Sequence, residues 1–388
     1  MRSTATAKAN GTPGESRHAS VSSLGSGWVG AFLDRMLGRG SHAVTVPPMD
    51  GPLRPNSLLD QAGGIVRIEA PDNLTLSGDQ LVFSSGPEVL ALDPATGALR
   101  QMGRMEGEVC AMTALANGAA LAAISGGGLR TFGDAAVSAG LLADAERRVI
   151  RCPTALLAGS DGRLLVAEGA RDRLPSQWRA DLLCGKPTGA LWMLDRWDAP
   201  ARPLASGLAW PSGIAWHRDG SIVVSEAWAH RLVRIDGQGR RSVLLGDLPG
   251  YPSRISPAAD GGWWLCLFAP RSQLVEFVLR EREYCERMMA QIPERYWVAP
   301  ALASGRDFRE PMQGGGIKSM GRLKPWAPTR SYGLVCKLDA DFQPLWSAHS
   351  RADGRRHGVT SVAELGGCLY VGCQGSDEIV SMNLQAQQ

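Results

Sequence analysis

The chain has 388 residues, of which 44% are hydrophobic and 20% charged, so it is long enough and apolar enough to bury a full core and global disorder is not expected. Its 41 basic and 38 acidic residues nearly cancel, and this balance argues against the positive surface that nucleic-acid binding requires. The 47 glycines and 24 prolines favour short strands joined by tight turns over long helices.

Two features bear on the compartment. No run of 18 consecutive apolar residues occurs, so we expect no transmembrane segment. The eight cysteines are scattered, without a C-x-x-C pair or a zinc-ligand spacing to histidine, which is typical of buried thiols in a reducing compartment. We therefore expect a soluble, cytoplasmic protein. The sequence leaves its oligomeric state open.

The N-terminal region divides into two parts. Residues 1–26 are rich in Ser, Ala, Thr and Gly and lack the apolar segment of a secretory signal, so they predict a disordered tail. In the connecting segment 27–64, Trp28, Phe32 and Met36 repeat every four residues, which predicts a short helix. Two interpretations of this helix stay open: it packs on the main domain, or it rests weakly on a membrane surface.

The body of the chain, residues 65–388, repeats one unit six times. Each unit opens with a proline or a small residue, runs through an alternating strand, turns at a glycine that is often preceded by Asp, and continues in a strongly apolar strand. Most units carry a second hairpin. The units open, in chain order, at Pro71, Cys110, Cys152, Pro211, Pro252 and Val359.

The apolar residues in these segments alternate with period two, which marks strands rather than helices. Four short strands per unit, repeated six times, predict an all-β fold: a six-bladed β-propeller with small helical inserts. A β-sandwich or a pair of β domains is the alternative. The inserts lie near 171–186 and 280–330. In the second insert, Tyr284, Met288 and Ile292 predict a helix, and the long loop that follows is typical of a lid, a binding loop or disorder.

Three stretches of the body resemble the strictosidine synthase family. The first spans residues 207–235, and its most specific part is 210–235, with the sequence W-P-S-G-I at 210–214 and Ser225-Glu226 at the end of the next strand. Similar matches occur at 249–264 and 358–372. The resemblance covers roughly residues 65–384 in order. It implies a six-bladed propeller related to the gluconolactonase (SMP-30) and paraoxonase group, with a small-molecule site at the mouth of the central channel.

The resemblance implies two kinds of chemistry, and this chain departs from both. In the lactonase branch, acids and asparagines that open the inner strands hold a central calcium, which needs six to eight oxygen ligands. In this chain Arg254 is one of the matching residues, and its guanidinium, if it points at the axis, would repel a cation. We therefore expect no essential calcium and no other cofactor. The matching positions here are Asp72 or Asn73, Thr154, Ser212, Ser253 and Arg254.

In the plant condensing branch, a glutamate near the last blade acts as acid and base for Pictet–Spengler ring closure. The matching residue here is Thr360, whose hydroxyl titrates too high for that role. The family resemblance therefore favours an enzyme that hydrolyses an ester or a lactone of a small molecule. A non-catalytic ligand-binding or scaffold propeller is the alternative, and strictosidine-type condensation ranks third.

Some candidates come from the residues themselves. Glu226 follows a buried strand, so it is an exposed strand-end carboxylate or a mouth acid/base paired with His230; Glu168 holds the same place in the third unit, with the same alternatives. Arg254 either pairs with a carboxylate, Asp72 or Glu226, or holds an anionic ligand in place of a metal. The predicted catalytic residues are Glu226, His230 and Arg254, and the predicted substrate-binding residues are Asp72, Asn73, Thr154, Ser212, Ser253 and Thr360.

Overall fold

A computed structural model describes residues 45–387, apart from 116, 134–138, 306, 308, 312–317, 320, 321 and 324–328. The predicted tail at 1–26 and the helix predicted around Trp28 lie outside the described residues, as does most of the long loop of the second insert. No helix in the described ranges has the length and apolar character that crossing a membrane requires.

The predicted propeller is confirmed: the chain forms six four-stranded antiparallel sheets, each a blade. The first three blades are contiguous in sequence. Blade 1 comprises β2 (Pro71–Ser77), β3 (Gln80–Ser85), β4 (Glu88–Leu92) and β5 (Leu99–Arg104). Blade 2 comprises β6 (Val109–Ala114), β7 (Ala120–Ile124), β8 (Gly128–Phe132) and β9 (Ala139–Leu141). Blade 3 comprises β10 (Pro153–Ala158), β11 (Leu164–Glu168), β12 (Gly189–Leu194) and β13 (Arg202–Leu208).

The last three blades include the second insert and the ring closure. Blade 4 comprises β14 (Pro211–Trp216), β15 (Ile222–Glu226), β16 (Arg231–Ile235) and β17 (Arg241–Leu245). Blade 5 comprises β18 (Gly250–Pro257), β19 (Trp263–Pro270), β22 (Gly333–Leu338) and β23 (Pro344–Ser350), and its insert carries the small hairpin β20 (Lys318–Ser319) and β21 (Arg322–Leu323). Blade 6 comprises β24 (Val359–Leu365), β25 (Cys368–Cys373), β26 (Glu378–Asn383) and the N-terminal strand β1 (Gly63–Arg67).

The ring closes through β1. This strand pairs antiparallel with β26, with Gly63 opposite Ser381 and Arg67 opposite Glu378. The first strands of the blades lie side by side in the order β2, β6, β10, β14, β18 and β24, and β24 lies beside β2 again. Because β1 and β26, the first and last strands among the described residues, share one sheet, the ring has no open seam.

Burial changes from the axis to the rim of each blade. In blade 4, all five residues of β15 are buried, whereas β17 at the rim is mostly exposed. The buried clusters lie between neighbouring blades, as where Leu165 and Leu191 of blade 3 pack near Val224 and Ile235 of blade 4. Because second strands are covered on both faces, they appear in the sequence as continuous apolar runs.

The predicted Asp-Gly turns join the first and second strands. Gly162, Gly220 and Gly261 have φ between 80° and 85°, in the left-handed region that glycine adopts without steric cost. Each lies directly after an aspartate. The local turn chemistry therefore sets the register of three blades.

The described residues form four short α-helices: α1 (Leu58–Gln61), α2 (Trp178–Cys184), α3 (Gln273–Val278) and α4 (Arg282–Gln291). They also form 3-10 turns at Gly51–Leu53, Pro175–Gln177, Glu294–Tyr296, Gln374–Ser376 and Leu384–Gln387. Helix α2 belongs to the first insert, and α3 and α4 belong to the second. They share one apolar cluster that includes Leu183, Val278 and Met288.

The helix expected in the second insert is present, but its predicted buried face is only partly correct. Met288 is buried, whereas Tyr284 is 47% exposed and Ile292 is 44% exposed. Cys285 is the second buried residue of α4. The buried face of α4 therefore consists of Cys285 and Met288, which lie three residues apart on one side of the helix. These two residues are buried because that side packs against the apolar cluster shared by the two inserts. All eight cysteines of the chain are free thiols.

Candidate functional site

A cavity of about 290 Å³ lies where the inner strands begin, and we call it the mouth cavity. All six blades contribute residues from the start of their first strands. A second cavity of about 240 Å³, the lower cavity, is lined by residues further along the same strands. Arg254 lines both cavities, so it lies between them in the channel. The inner-strand residues of the mouth cavity are Asp72, Val109, Cys110, Pro153, Thr154, Ser212, Ser253, Arg254 and Thr360.

Arg254 of blade 5 joins three other blades across the channel. Its Nη1 donates to Asp72 Oδ1 at 2.9 Å, and its Nη2 donates to Asn73 Oδ1 at 2.5 Å. The same Nη2 faces the backbone oxygens of Cys110 and Thr154 at 3.2 and 3.4 Å. The side chains of Arg254 and Asp72 are only 16% and 15% exposed. Of the two carboxylate partners considered from the sequence, the structure therefore pairs Arg254 with Asp72.

Asn73 faces the lower cavity rather than the mouth. It is buried, and its backbone has φ of 59°. Its amide nitrogen donates to Ser84 Oγ at 2.8 Å, while its amide oxygen accepts from Arg254. Both ends of this side chain are therefore used within the protein.

Three predicted substrate-binding hydroxyls connect neighbouring blades. Thr154 Oγ1 donates to the backbone oxygen of Pro211 at 2.5 Å, and Ser212 Oγ donates to that of Pro252 at 2.8 Å. Ser253 Oγ donates to the backbone oxygen of Thr360 at 2.9 Å. Each hydroxyl therefore joins its own inner strand to the inner strand of the next blade.

Thr360, at the corresponding place in blade 6, breaks this series. Its hydroxyl oxygen is buried and has no hydrogen-bond partner among the described residues. Thr360 also lines the mouth cavity. Buried polar groups in native proteins are nearly always hydrogen-bonded, so this hydroxyl is an exception beside the mouth cavity.

Both expectations for Glu226, an exposed strand-end carboxylate and an acid/base paired with His230, are wrong. Glu226 is fully buried, accepts from Arg231 Nε at 2.6 Å and from the backbone nitrogen of Ala209 at 2.8 Å, and does not line the mouth cavity. His230 Nε2 lies 3.4 Å from Glu276 Oε1. The register places Glu226 directly opposite Arg231, so the two side chains share a face of the sheet, whereas His230 lies in the connecting turn with φ of 50°.

One wall of the mouth cavity is aromatic. Trp228 stacks on Trp210 with a centroid distance of 5.3 Å and on Trp178 at 6.1 Å. Phe268 meets the ring of Trp178 edge-on at 5.5 Å. Sequence patterns did not indicate this wall as a whole, because its residues come from α2, from two turns of blade 4 and from β19. Only the W-P-S-G motif pointed to one of them, Trp210.

Asp181 of α2 fixes the orientation of Trp228 in this wall. Its Oδ2 accepts from Trp228 Nε1 at 2.9 Å, and its Oδ1 lies 3.8 Å from Arg173 Nε. Burial raises the pKa of Asp181 to about 6, against the opposing effects of the indole hydrogen bond and the arginine. The position of Trp228 thus depends on a carboxyl that titrates in mildly acidic solution.

Glu108, just before β6, is a cavity residue that sequence analysis missed. It lines the mouth cavity, and no hydrogen bond or ion pair to its carboxylate is present among the described residues. Glu108 is an exposed residue at the rim of the cavity, and partial desolvation, followed by the charge of Asp72, raises its pKa above the usual value. The nearby Cys110 thiol is inert as a nucleophile, because burial raises its pKa to about 12. The place of Glu108 directly before an inner strand was the signal available in the sequence.

Comparisons with known proteins bear on the family and the fold. No family model matches the chain. Over 259 residues the chain is 23% identical to strictosidine synthase-like 6 of Arabidopsis thaliana, a match that covers 66% of this chain and 61% of that relative. The chain is thus similar to strictosidine synthase-like proteins. This finding confirms the resemblance in the sequence, although the match spans less than two thirds of the relative's length.

Solved structures share the propeller fold of this chain. A gluconolactonase of Xanthomonas campestris has a TM-score of 0.53 at 14% identity, covering 87% of this chain and 96% of its own. The calcium-binding protein regucalcin of Agrobacterium tumefaciens has a TM-score of 0.51 at 11% identity, covering 83% and 92%. A luciferin-regenerating enzyme has a TM-score of 0.50 at 15% identity, covering 84% and 92%. At these identities the likeness concerns the fold alone.

The residues at the axis of this propeller do not fit a calcium ion. The oxygens of Asp72 and Asn73 that face the channel already accept from Arg254, and the hydroxyls of Thr154 and Ser212 donate to backbone oxygens. No group of three or more His, Cys, Asp or Glu side chains suited to a metal occurs in the described part of the chain. The guanidinium supplies at this point the positive charge that a cation would bring.

Replacing Arg254 tests this account of the axis. Arg254→Ala leaves Asp72 as an uncompensated, largely buried charge, so we expect a loss of about 3–5 kcal/mol in the free energy of unfolding, measured by urea denaturation. Arg254→Lys keeps the charge but not the planar fork, and we expect a smaller loss. Arg104→Ala, which removes an exposed ion pair with Glu88, serves as the control and should cost less than about 1 kcal/mol.

The same experiment includes a chelator. We expect the melting temperature of the wild type to be the same with EDTA and with added calcium. A wild type that unfolds in EDTA, or an Arg254→Ala variant as stable as the wild type, would contradict the assignment of Arg254 as the axial cation.

Two threonine variants separate the joining hydroxyls from the unpartnered one. Thr154→Val removes the donor to Pro211 and leaves a buried carbonyl without its partner, so we expect a loss of about 1–3 kcal/mol. Thr360→Val has the same change in shape but breaks no hydrogen bond among the described residues, so we expect unchanged or slightly higher stability. Equal losses in the two variants, measured by urea denaturation, would refute the distinction.

Asp181 predicts a pH dependence of stability. Its raised pKa means that the folded state binds the proton more tightly than the unfolded chain, so this group lowers the free energy of unfolding as pH rises from 3.8 to about 6. Asp181→Asn keeps an acceptor for Trp228 but does not titrate. We expect the variant to gain up to about 3 kcal/mol relative to the wild type between pH 4 and pH 7. Asp79→Asn, in an exposed turn, is the control; a pH-independent difference for Asp181→Asn would disprove the account.

Proposed function

We propose that this protein binds a small organic molecule in the mouth cavity and hydrolyses an ester or a lactone there. The observation that carries the proposal is that two residues lining one cavity have polar side-chain groups without a hydrogen-bond partner among the described residues: the carboxylate of Glu108, with its raised pKa, and the buried hydroxyl of Thr360. The gluconolactonase and the luciferin-regenerating enzyme with the same fold support a hydrolytic enzyme.

The two groups have complementary roles in this proposal. Glu108 takes a proton from a water molecule, whose oxygen attacks the carbonyl carbon of the substrate. Thr360 donates its hydroxyl hydrogen to the carbonyl oxygen as negative charge develops there. When the bond to the leaving oxygen breaks, Glu108 returns the proton to it, so the products are an acid and an alcohol, joined in one molecule when the substrate is a lactone.

The rest of the cavity defines where the substrate lies. The stacked rings of Trp178, Trp210 and Trp228 offer a flat apolar wall against which an aromatic or alicyclic group packs. Arg254 and Asp72, bound to each other, form the polar floor. This floor makes Arg254 a positioning residue for the inner strands rather than the anion receptor considered from the sequence.

A non-catalytic ligand-binding propeller is the second candidate. It is favoured by the internal use of the predicted site residues, since Arg254, Thr154, Ser212 and Ser253 all bond within the protein. Strictosidine-type condensation remains third, because the hydroxyl of Thr360 does not perform acid/base chemistry in the required range.

Glu108 variants distinguish these functions. On a panel of aryl esters and five- and six-membered lactones, we expect Glu108→Gln to lower kcat by about 10²–10⁴-fold. The wild-type rate should rise with pH through the raised pKa of Glu108, because the base is the ionised form, and the variant should lose this rise. Glu106→Gln, an exposed glutamate two residues earlier, is the matched control and should keep the wild-type rate.

Thr360→Val completes the test. We expect it to lower kcat by about 10–10³-fold without loss of stability, since it removes a donor to the developing oxyanion. Wild-type turnover in Glu108→Gln would overturn the proposed base. Ligands from the panel that raise the melting temperature of the wild type without being hydrolysed would establish the binding-only function instead.

A further inference from the structure

A second concave site, formed by two loops of blade 3, lies beside the mouth cavity. It has a volume of about 500 Å³, and we call it the arginine cleft. One loop precedes β10 and the other follows β11; Pro153 pairs with Glu168, so both loops lie at the mouth end of the blade. The cleft is lined by Arg148, Val149, Arg151, Arg171, Asp172, Arg173, Leu174 and Gln177.

The arginine cleft and the mouth cavity share a boundary. Leu174 and Gln177 line the cleft, whereas Pro175 and Ser176, between them in sequence, line the mouth cavity. This short 3-10 turn opens the first insert. The cleft is therefore separate from the proposed hydrolytic site but directly adjacent to it.

Arg148 is held in a fixed orientation at the cleft. Its Nη1 and Nη2 donate to the two carboxylate oxygens of Glu168 at 3.1 Å each, and its Nε donates to Asp144 at 3.3 Å. Its guanidinium also lies 4.7 Å from the ring centroid of Trp192. A guanidinium has five N–H donors, and three are used here, so two remain for another acceptor.

Two other arginines of the cleft have no acceptor among the described residues. Arg151 and Arg171 are exposed, and no hydrogen bond or ion pair of their guanidinium groups is present among the described residues. Arg173 is turned towards Asp181 and the sulfur of Cys184. Asp172 supplies the one carboxylate of the cleft lining, against four guanidinium groups.

We propose that the arginine cleft binds a small anion that carries a phosphoryl group. The carboxylates of Glu168 and Asp144, which pair with Arg148, and of Asp181, beside Arg173, are 1%, 15% and 7% exposed and do not line the cleft. On the cleft side, the guanidinium groups of Arg151 and Arg171 face a single carboxylate, that of Asp172. Several like charges in one concave site attract an oppositely charged ligand more strongly than the same charges dispersed over a surface.

The geometry of the lining favours a phosphoryl group over a carboxylate. The arginines come from two loops, Arg148 and Arg151 from one and Arg171 and Arg173 from the other, so their N–H groups approach a ligand from different sides. A phosphoryl group presents three oxygens around a tetrahedral centre and accepts from several directions, whereas a carboxylate presents two oxygens in one plane.

Inorganic pyrophosphate is the probe for a titration of the wild-type protein by calorimetry at low ionic strength. We expect one site per chain. The double variant Arg151→Gln/Arg171→Gln should bind at least about tenfold more weakly, because it removes both unneutralised guanidinium groups. These residues are exposed and make no side-chain bond among the described residues, so the fold should be retained. Arg148 is left in place because its loss would strand the buried carboxylate of Glu168.

Arg100→Gln is the matched control, since Arg100 is exposed on β5 of blade 1, outside the cleft, and should leave pyrophosphate binding unchanged. Glu108→Gln should also bind pyrophosphate like the wild type, which separates this inference from the proposed hydrolysis. Binding by the double variant within about twofold of the wild type, or an equal loss in Arg100→Gln, would overturn the site. Tighter binding of citrate than of pyrophosphate would overturn the phosphoryl assignment.

Discussion

The contact of Arg254 with Asp72 and Asn73 is the interaction on which the centre of this propeller depends. Six inner strands converge on the axis, and their first residues bring carboxylate, amide and carbonyl oxygens close together. A guanidinium from blade 5 donates to oxygens of blades 1, 2 and 3, so it supplies both the positive charge and the hydrogen bonds that those oxygens require. It also divides the channel, and so gives the mouth cavity its floor.

Around this contact, serine and threonine residues occupy the same position at the start of the inner strands of blades 3 to 6. Thr154, Ser212 and Ser253 each donate to the backbone of the following blade, which fixes the spacing of the inner strands. Thr360, at the last of these positions, lines the mouth cavity, and its buried hydroxyl has no hydrogen-bond partner among the described residues. A repeated structural position thus becomes a candidate functional one wherever the neighbouring blade offers no acceptor.

The inserts give this common fold its individual sites. Helix α2 brings Trp178 and Asp181 to the mouth, where they form and orient the aromatic wall with Trp228. The loop that precedes α2 also forms half of the arginine cleft. One insert therefore borders two sites of opposite character: a cavity with the carboxylates of Asp72 and Glu108, and a cleft with four guanidinium groups.

The sequence by itself determined the six blades, the Asp-Gly turns and the inner-strand positions around the axis, because these are local patterns repeated at one place in each unit. It predicted Asp72, Thr154, Ser212, Ser253, Arg254 and Thr360 as mouth residues, and the structure brings them together. Only the tertiary structure decided that β1 closes blade 6, that Glu226 pairs with Arg231 rather than His230, and that Glu108 faces the aromatic wall's cavity. A local sequence pattern does not predict these contacts, because strand register and the packing of the inserts determine which side chains meet.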